Sequence, residues 1–480
     1  MSASASRPLT PTLSPLCRER GLLGLLVALG GCATMSNEVA RVEQTLVTRA
    51  PALEGLTLPR FDVPEDVPQE VEQLLARPLS ADDAVRVAML ANRDARAALA
   101  ELAIARGAYV QAGLLPNPSA ELSLRDPGGP QPLQLDIGLE LNVTATVLTP
   151  LRSGVAEAVL DAERLKAAGA LLDLGYRTRL AWLEVQAATR KLELRTRALE
   201  AWQASWEATA ELEKQGNLNG LEVANTLAQV ELARVQVAEA ENALLDAREN
   251  LTRRLGLHGR QVQFKLAGAL EPPASDGKGL DEATALKASL ELAELLARAE
   301  AASRKVGLAK TEGWLPDLSA GFHGERDANL WELGAHFTLT LPFLDQQQGR
   351  QLSAKSEYDL LRARAEGQAL AIRSAVRQTL NRLESSSKRS KHYGERLLPA
   401  RRRALEQTVL QYNAMTLGVF QVLAAQRAVT ETELAQVDAT LDAQRAHAAL
   451  QLLLAGRSTP LELGALPQSS SAVERSGGGH

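Results

Sequence analysis

Aromatic side chains are scarce in this chain, 3% of its 480 residues. That is little for an ordinary globular core but suits alanine-rich helices packed side by side. Only two cysteines are present, which excludes a disulfide framework and a cysteine-based zinc site. An excess of one charge is missing too: 53 basic and 58 acidic side chains leave a net charge of −5, without the basic excess of nucleic-acid binding. The six histidines show no metal-ligand spacing and no HExxH pair, so no metal site is expected. His336 reads as a solvated residue of a polar strand face. Four methionines are too few for a methionine relay, and Met415 reads as a packing residue at a turn. Arg401, Arg402 and Arg403 read as a solvated helix face. Neither a nucleophile elbow nor a phosphate loop occurs, and an enzyme is not expected.

What is present is a change of period. Most of the chain reads as alanine- and leucine-rich helix, but between Leu315 and Asp345, just after Trp314, the repeat becomes two. In NLWELGAHFTLTL, Trp331, Leu333, Ala335, Phe337, Leu339 and Leu341 share one face, and Glu332, Gly334, His336, Thr338 and Thr340 share the other. Such alternation marks a strand with one apolar and one polar side. DLSAGFHGE alternates before it, and the GERDAN break makes the two a hairpin. The same device occurs once earlier, as NPSAELSLRD, a turn-rich PGGPQP, and LQLDIGLELNVTATV. There Leu133, Leu135, Ile137, Leu139, Leu141 and Val143 oppose Gln134, Asp136, Gly138, Glu140, Asn142 and Thr144. Strands of roughly 8–12 residues can cross a bilayer at a tilt. Four cannot close, since the smallest membrane barrels have about 8 strands, and an open edge in lipid leaves backbone groups unsatisfied. Either the hairpins are soluble decoration, or several chains pool their strands.

At the N-terminus, Arg18 and Arg20 precede the apolar run GLLGLLVALGG, which ends at Cys32. The run is too short to span a membrane and fits the apolar region of a signal peptide. Leu29-Gly30-Gly31-Cys32 resembles the bacterial lipobox, which implies a signal peptide over 1–31, cleavage, and a covalent diacylglycerol and N-acyl chain on Cys32. No other cofactor is expected. Ala33 after the cysteine, by resemblance to bacterial lipoproteins, implies sorting to the outer membrane.

Residues 32–79 read as a lipid-anchored extended arm with little core of its own. A helix is expected from a Ser80 cap to Gly113, then the first hairpin, then a helix from about Ser153 to Lys214. QGNLNG breaks it, and a return helix runs from Leu221 to Leu255. Residues 271–280 read as a linker. The pattern then repeats: helix from about Asp281 to Glu312, hairpin, a long helix from about Gly349 kinked or interrupted by Pro399, a break at 416–418, and a return helix to Ala455. Leu434, Val437, Leu441, Ala448 and Leu452 form an apolar stripe on that last helix. Residues 457–480 read as a disordered tail.

Two tandem units of helix, hairpin, long helix, turn and return helix, over 80–270 and 281–456, resemble the TolC-type outer-membrane efflux proteins. The stretches that carry the resemblance are LSADDAVRVAMLANRDARAALAELAIARGAYVQAGLLPNPS, GWLPDLSAGF, LTLPFLDQQQGR and YNAMTLGVFQVLAAQRAVTETELA. It implies a mainly α chain with membrane β: a long α-helical barrel plus a β-barrel shared by a homotrimer, four strands per chain and twelve in all. It places the barrel in the outer membrane of a Gram-negative bacterium and the helices in the periplasm. The partners it implies are outer-membrane lipid, a periplasmic adaptor protein and an inner-membrane pump. The lumen would be lined by Gln134, Asp136, Glu140, Asn142, Glu332, His336 and Thr338.

The two helix turns, QGNLNGLEV and AMTLGVFQV, would dock the adaptor through Gly220, Leu221, Glu222, Leu417, Gly418, Val419 and Gln421. The best-known member of that family carries acidic residues in a DVLDA-like run at the second tip; here the matching positions are Gln421 and Ala424, with Glu222 and Asn225 in the first repeat. Met415 stands where a glycine is common, leaving Gly418 to supply the turn. The wording of both tips resembles relatives associated with resistance to copper or other heavy metals. The expected function is the outer-membrane channel of a tripartite efflux system for small molecules or metal ions. The competing reading is a lipid-tethered periplasmic coiled-coil scaffold without channel activity.

Overall fold

The computed structural model describes residues 35–59, 69–126, 128, 133–216, 218–273, 281–327 and 330–458. Cys32 and the signal-peptide segment lie outside these residues, as do most of the first hairpin turn and positions 274–280 of the linker. The unit beginning at Met35 is mostly helix. No helix among the described residues is long and apolar enough to cross a membrane.

The arm is the first departure from expectation. Helix α1 (Ser36–Arg49) buries Val39, Val42 and Leu46 along one side, and Leu53, Leu56 and Leu58 follow them into the same core. Spacings of three and four put these residues on one face. The extended, core-poor arm is therefore incorrect over its described part, where a short amphipathic helix precedes the proline-rich stretch. Glu38 on α1 is 2% exposed and pairs with Arg164 and Arg106. Burial pushes its carboxyl up, but the hydrogen bond and charge of Arg164, with Arg41 and Arg106, hold it below the usual carboxylate range. A lowered carboxylate contributes stability above its ordinary pKa, and loses it as the pH falls through the lowered value.

After α2 (Gln69–Leu75), the expected continuous helix is two: α3 (Ala81–Ala91) and α4 (Arg93–Gly113). Ser80 and Asp83 form a capping box at the start of α3. Asn92 ends α3 and caps α4: its side chain accepts from Asp94 N at 2.6 Å and donates to Arg254 O at 2.7 Å. The second unit repeats the break, with α7 (Glu282–Ala288) and α8 (Leu290–Trp314) separated at Ser289, whose hydroxyl accepts from Leu292 N.

Helix α5 runs from Val143 to Lys214, 72 residues, which at 1.5 Å each is a rod of about 108 Å. It starts well before the expected Ser153 and passes through Pro150. Asn142, the last residue of the strand before it, caps it by accepting from Ala145 N at 2.6 Å. Thr144 donates to Pro316 O at 2.8 Å and accepts from Leu318 N at 2.7 Å. These bonds fix the switch from strand to helix, so Val143 and Thr144 are helical and not strand residues as expected. Helix α6 (Gly220–Leu255) returns along α5.

In the second unit, α9 (Gln348–His392) leads through a π-turn at Tyr393–Leu397 into α10 (Leu398–Asn413). Pro399 falls in the first turn of α10, where a missing N–H costs little, and the π-turn absorbs the interruption. The last helix, α11 (Val419–Leu454), packs on α9, α10 and α5. Val437, Leu441 and Leu452 join the main core, as their stripe implied. Arg457 belongs to that body too, paired with Asp173 and Glu291, so the disordered tail does not begin at 457; residues from 459 on lie outside the described ones.

One closure occurs in both units. Gly256, at φ +74, follows α6 and lies against the α3–α4 break, where an added Cβ would come 2.7 Å from Asn92 Cα. Gly456, at φ +96, follows α11 and lies against the α7–α8 break, where a Cβ would meet Ala288 O at 2.1 Å. Gly456 O also accepts from Leu290 N at 2.8 Å. Both positions need the left-handed backbone and the absent side chain together. Gly456→Ala is expected to destabilise the chain by about 1–3 kcal/mol, read from thermal unfolding of the detergent-solubilised protein. Gly107→Ala, with nothing within 4 Å of the new Cβ, is expected to be neutral or to stabilise by up to about 1 kcal/mol. Equal losses in both variants would contradict this closure.

Candidate functional site

The four strands form one antiparallel sheet in the order β1 (Ser119–Arg125), β2 (Gln134–Asn142), β3 (Asp317–Asp327), β4 (Leu330–Thr340). Each repeat contributes one hairpin, and β2 pairs β3 across the repeats. Strand β3 runs on through Gly324, Glu325 and Arg326, part of the expected break. β1 and β4 are the sheet edges.

The register keeps the two faces separate. On one face Leu122 lies opposite Ile137, Leu139 opposite Phe322, and Ala320 opposite Phe337. Phe322, Leu333 and Phe337 are 73%, 84% and 71% exposed. Fully burying a side chain of this size is worth about 1.5–3 kcal/mol, so a continuous face of them is a strong demand for cover. Arg326 and Trp331, mutual partners across β3 and β4, stand at the hairpin end of this apolar face. Near the opposite end Trp314 and Phe343 are exposed. Apolar residues between aromatic girdles are the pattern of a lipid-facing band. Strand β4 has 11 residues; at about 3.3 Å each and a tilt of about 40° it rises roughly 28 Å, close to the ~25 Å height of such bands.

The other face is polar. It carries Gln134, Asp136, Glu140 and Asn142 of β2, all half-buried, and Glu332, His336 and Thr338 of β4. His336 Nε2 lies 3.8 Å from Glu140 Oε2, over the space left by Gly321, where a Cβ would come 2.4 Å from its ring. Asn142 donates to Asp317 Oδ1 at 2.9 Å besides capping α5. The register also joins residues that sequence spacing did not. Asp136 faces Glu325 across β2 and β3, and His323 lies two residues along on the same face. Donor atoms of Asp136, His323 and Glu325 lie within 4.8 Å of one another. They come from hairpins of different repeats, so no local motif announces them; their signal in the sequence was the period-two register alone.

The two far turns differ in build. At the first, Gly216 takes the left-handed conformation at φ +78, Asn219 caps α6 by accepting from Glu222 N at 3.0 Å, and Gly220 opens the helix. Leu221 is 69% exposed. Glu222 is half-buried. It has acidic company, since Glu213 Oε1 comes 3.2 Å from where a Gly220 Cβ would sit and Glu211 is exposed on the same turn.

At the second turn the left-handed residue is Met415, φ +60 and 94% exposed. It is therefore not a packing residue, and Gly418, at φ −84, does not supply the turn but precedes α11 as its N-cap. Leu417 and Val419 are half-buried, and Gln421 is exposed.

Comparison with known proteins bears on both features. The family model described as outer membrane efflux protein matches residues 283–456, from α7 to just beyond α11. The chain is 24% identical over 377 residues to the cobalt-zinc-cadmium resistance protein CzcC of Cupriavidus metallidurans, covering 75% of this chain and 86% of that one. The structure superposes on the transmembrane-channel protein CusC with a TM-score of 0.65 at 17% identity, over 84% of this chain and 98% of that one. On the outer-membrane channel OprN the TM-score is 0.67 at 18% identity, over 85% and 95%. The helical body with a small antiparallel sheet is thus a fold shared with channels.

The two faces predict opposite responses to one substitution. Leu139→Arg or Phe337→Arg is expected to impair assembly into membranes, because an arginine facing lipid at mid-depth costs about 2–4 kcal/mol. Thr338→Arg, on the polar face, is expected to assemble normally. Membrane-fraction recovery of the folded protein measures this, and equal loss from both faces would mean that the faces are misassigned.

Proposed function

We propose that the chain is a member of the outer-membrane efflux protein family, whose model matches residues 283–456, and that it is the outer-membrane channel of a tripartite efflux system. The observation that carries the reading is the sheet: an exposed apolar face, a polar face, and two open edges. Three chains would supply twelve strands, each β4 edge meeting the next chain's β1 edge, and the closed barrel would present apolar residues to lipid and polar residues to water. The long helices would then continue the duct through the periplasm. A soluble scaffold would leave the apolar face bare in water.

The likeness to a cobalt-zinc-cadmium resistance protein supports metal ions as the cargo. The helix turns at 215–219 and 414–418, with Leu221 exposed, are suited to an adaptor that links the duct to an inner-membrane pump. Acyl chains on Cys32 would add a second hold on the membrane, each buried CH₂ contributing about 0.8 kcal/mol.

Reconstitution into a planar bilayer tests the channel. Discrete, cation-favouring conductance is expected, and Glu222→Gln is expected to reduce the selectivity without closing the pore, since Glu211 and Glu213 beside the first turn keep their charge. A purified, folded protein that conducts nothing would overturn the reading. In the same preparations Cys32→Ala is expected to abolish palmitate incorporation; persistent labelling would remove the lipid anchor from the proposal.

A further inference from the structure

The polar face of the sheet has a charge arrangement that an empty water-filled pore does not explain. Asp136 lies opposite Glu325, and Glu325 opposite Glu332, so three carboxylates occupy one cross-strand row. Like charges directly opposite destabilise a sheet. No Lys or Arg among the described residues forms an ion pair with any of the three. Asp136 Oδ1 is shut away from solvent without a hydrogen-bond partner. Beside the row, His323 faces glycine on both neighbouring strands, Gly138 and Gly334. Its Nδ1 lies 3.9 Å from where a Cβ on Gly138 would stand, and a Cβ on Gly334 would meet nothing within 4 Å, so the ring is not crowded from either side.

We propose that Asp136, His323 and Glu325 bind a divalent first-row transition ion such as Co²⁺ or Zn²⁺ on the wall of the pore. This deepens the channel reading, and only the site's place on a pore wall rests on it. Donor atoms already within 4.8 Å of one another need small rotations to meet one ion at about 2.0–2.2 Å. The ion would offset two of the row's three negative charges and take up the buried Asp136 oxygen. The donor set chooses the ion class. An imidazole with two carboxylates suits Zn²⁺ and its first-row neighbours, Mg²⁺ and Ca²⁺ prefer oxygen alone, and Cu⁺ requires thiolate or thioether ligands that this cluster does not contain.

Three protein ligands leave the remaining positions to water, and His323 is exposed, so the ion exchanges. That is the property a conducting pathway needs, binding firm enough to enter and weak enough to leave. Glu140 and His336, 3.8 Å apart on the same face, lie four residues further along β2, about 13 Å, and offer a next step toward the helices.

The test titrates the untagged full chain in detergent with Co²⁺, read by visible d–d absorption and by displacement with Zn²⁺. Saturable binding that Zn²⁺ displaces and Mg²⁺ does not is expected for the natural protein and for His258→Ala, an exposed histidine outside the strands. Asp136→Asn, His323→Ala and Glu325→Gln are each expected to weaken Co²⁺ binding at least about ten-fold, since losing even an outer-shell partner costs 10–100-fold. Circular dichroism checks that each variant keeps its sheet. No saturable binding, or binding unchanged by all three substitutions, overturns the site. Bilayer conduction by a preparation that does not bind Co²⁺ overturns the site and spares the channel; Co²⁺ binding by a preparation that does not conduct overturns the channel and spares the site.

Discussion

A strand exposed to hydrocarbon must find hydrogen-bond partners for every backbone N–H and C=O, because lipid offers none. In this chain the constraint falls on β1 and β4, the edges of a four-stranded sheet too small to close on itself. The apolar face of that sheet asks for lipid, while its edges forbid lipid until they are paired. Both demands are met at once when edges of neighbouring chains join. The proposed lumen, the lipid-facing band and the long duct all depend on that pairing.

Below the sheet the architecture is built twice with the same joints. Each unit begins with a short helix, a polar cap that breaks it, and a second helix leading to a hairpin. Each ends with a left-handed glycine lying against that break, Gly256 against Asn92 and Gly456 against Ala288. The closure returns the end of a helical excursion of some 100 Å to its own beginning. The strand-to-helix switch at Asn142 and Thr144 ties the first unit to the start of β3 through Pro316 and Leu318. The hairpins are thereby held side by side within the one chain.

Much of this was legible in the sequence. Alternation over Trp331–Leu341 and Leu133–Leu141 placed the later strand of each hairpin and both faces, since a period of two leaves little else to read. The order of elements carried the family resemblance. What was not legible depended on contacts between distant segments. The break at Asn92 is an interior asparagine in a good helical pattern, and it becomes a cap only because Arg254 O receives its amide. The helix expected from about Ser153 begins at Val143, because bonds from Thr144 to another repeat place that start earlier.

At the second turn Met415 takes a left-handed conformation that propensity assigns to glycine, and the neighbouring Gly418 is an ordinary N-cap. The triad of Asp136, His323 and Glu325 escaped for the same reason as the Asn92 break. Its members are ordinary polar positions until the β2–β3 register is known.

The joining of edges between chains is the central claim, and the mass of the assembled particle tests it most directly. Native mass measurement of the protein extracted in mild detergent, with its β-sheet signal intact, should give three chains per particle. A stable single chain with the same sheet signal would contradict it, because four strands would then be content with open edges.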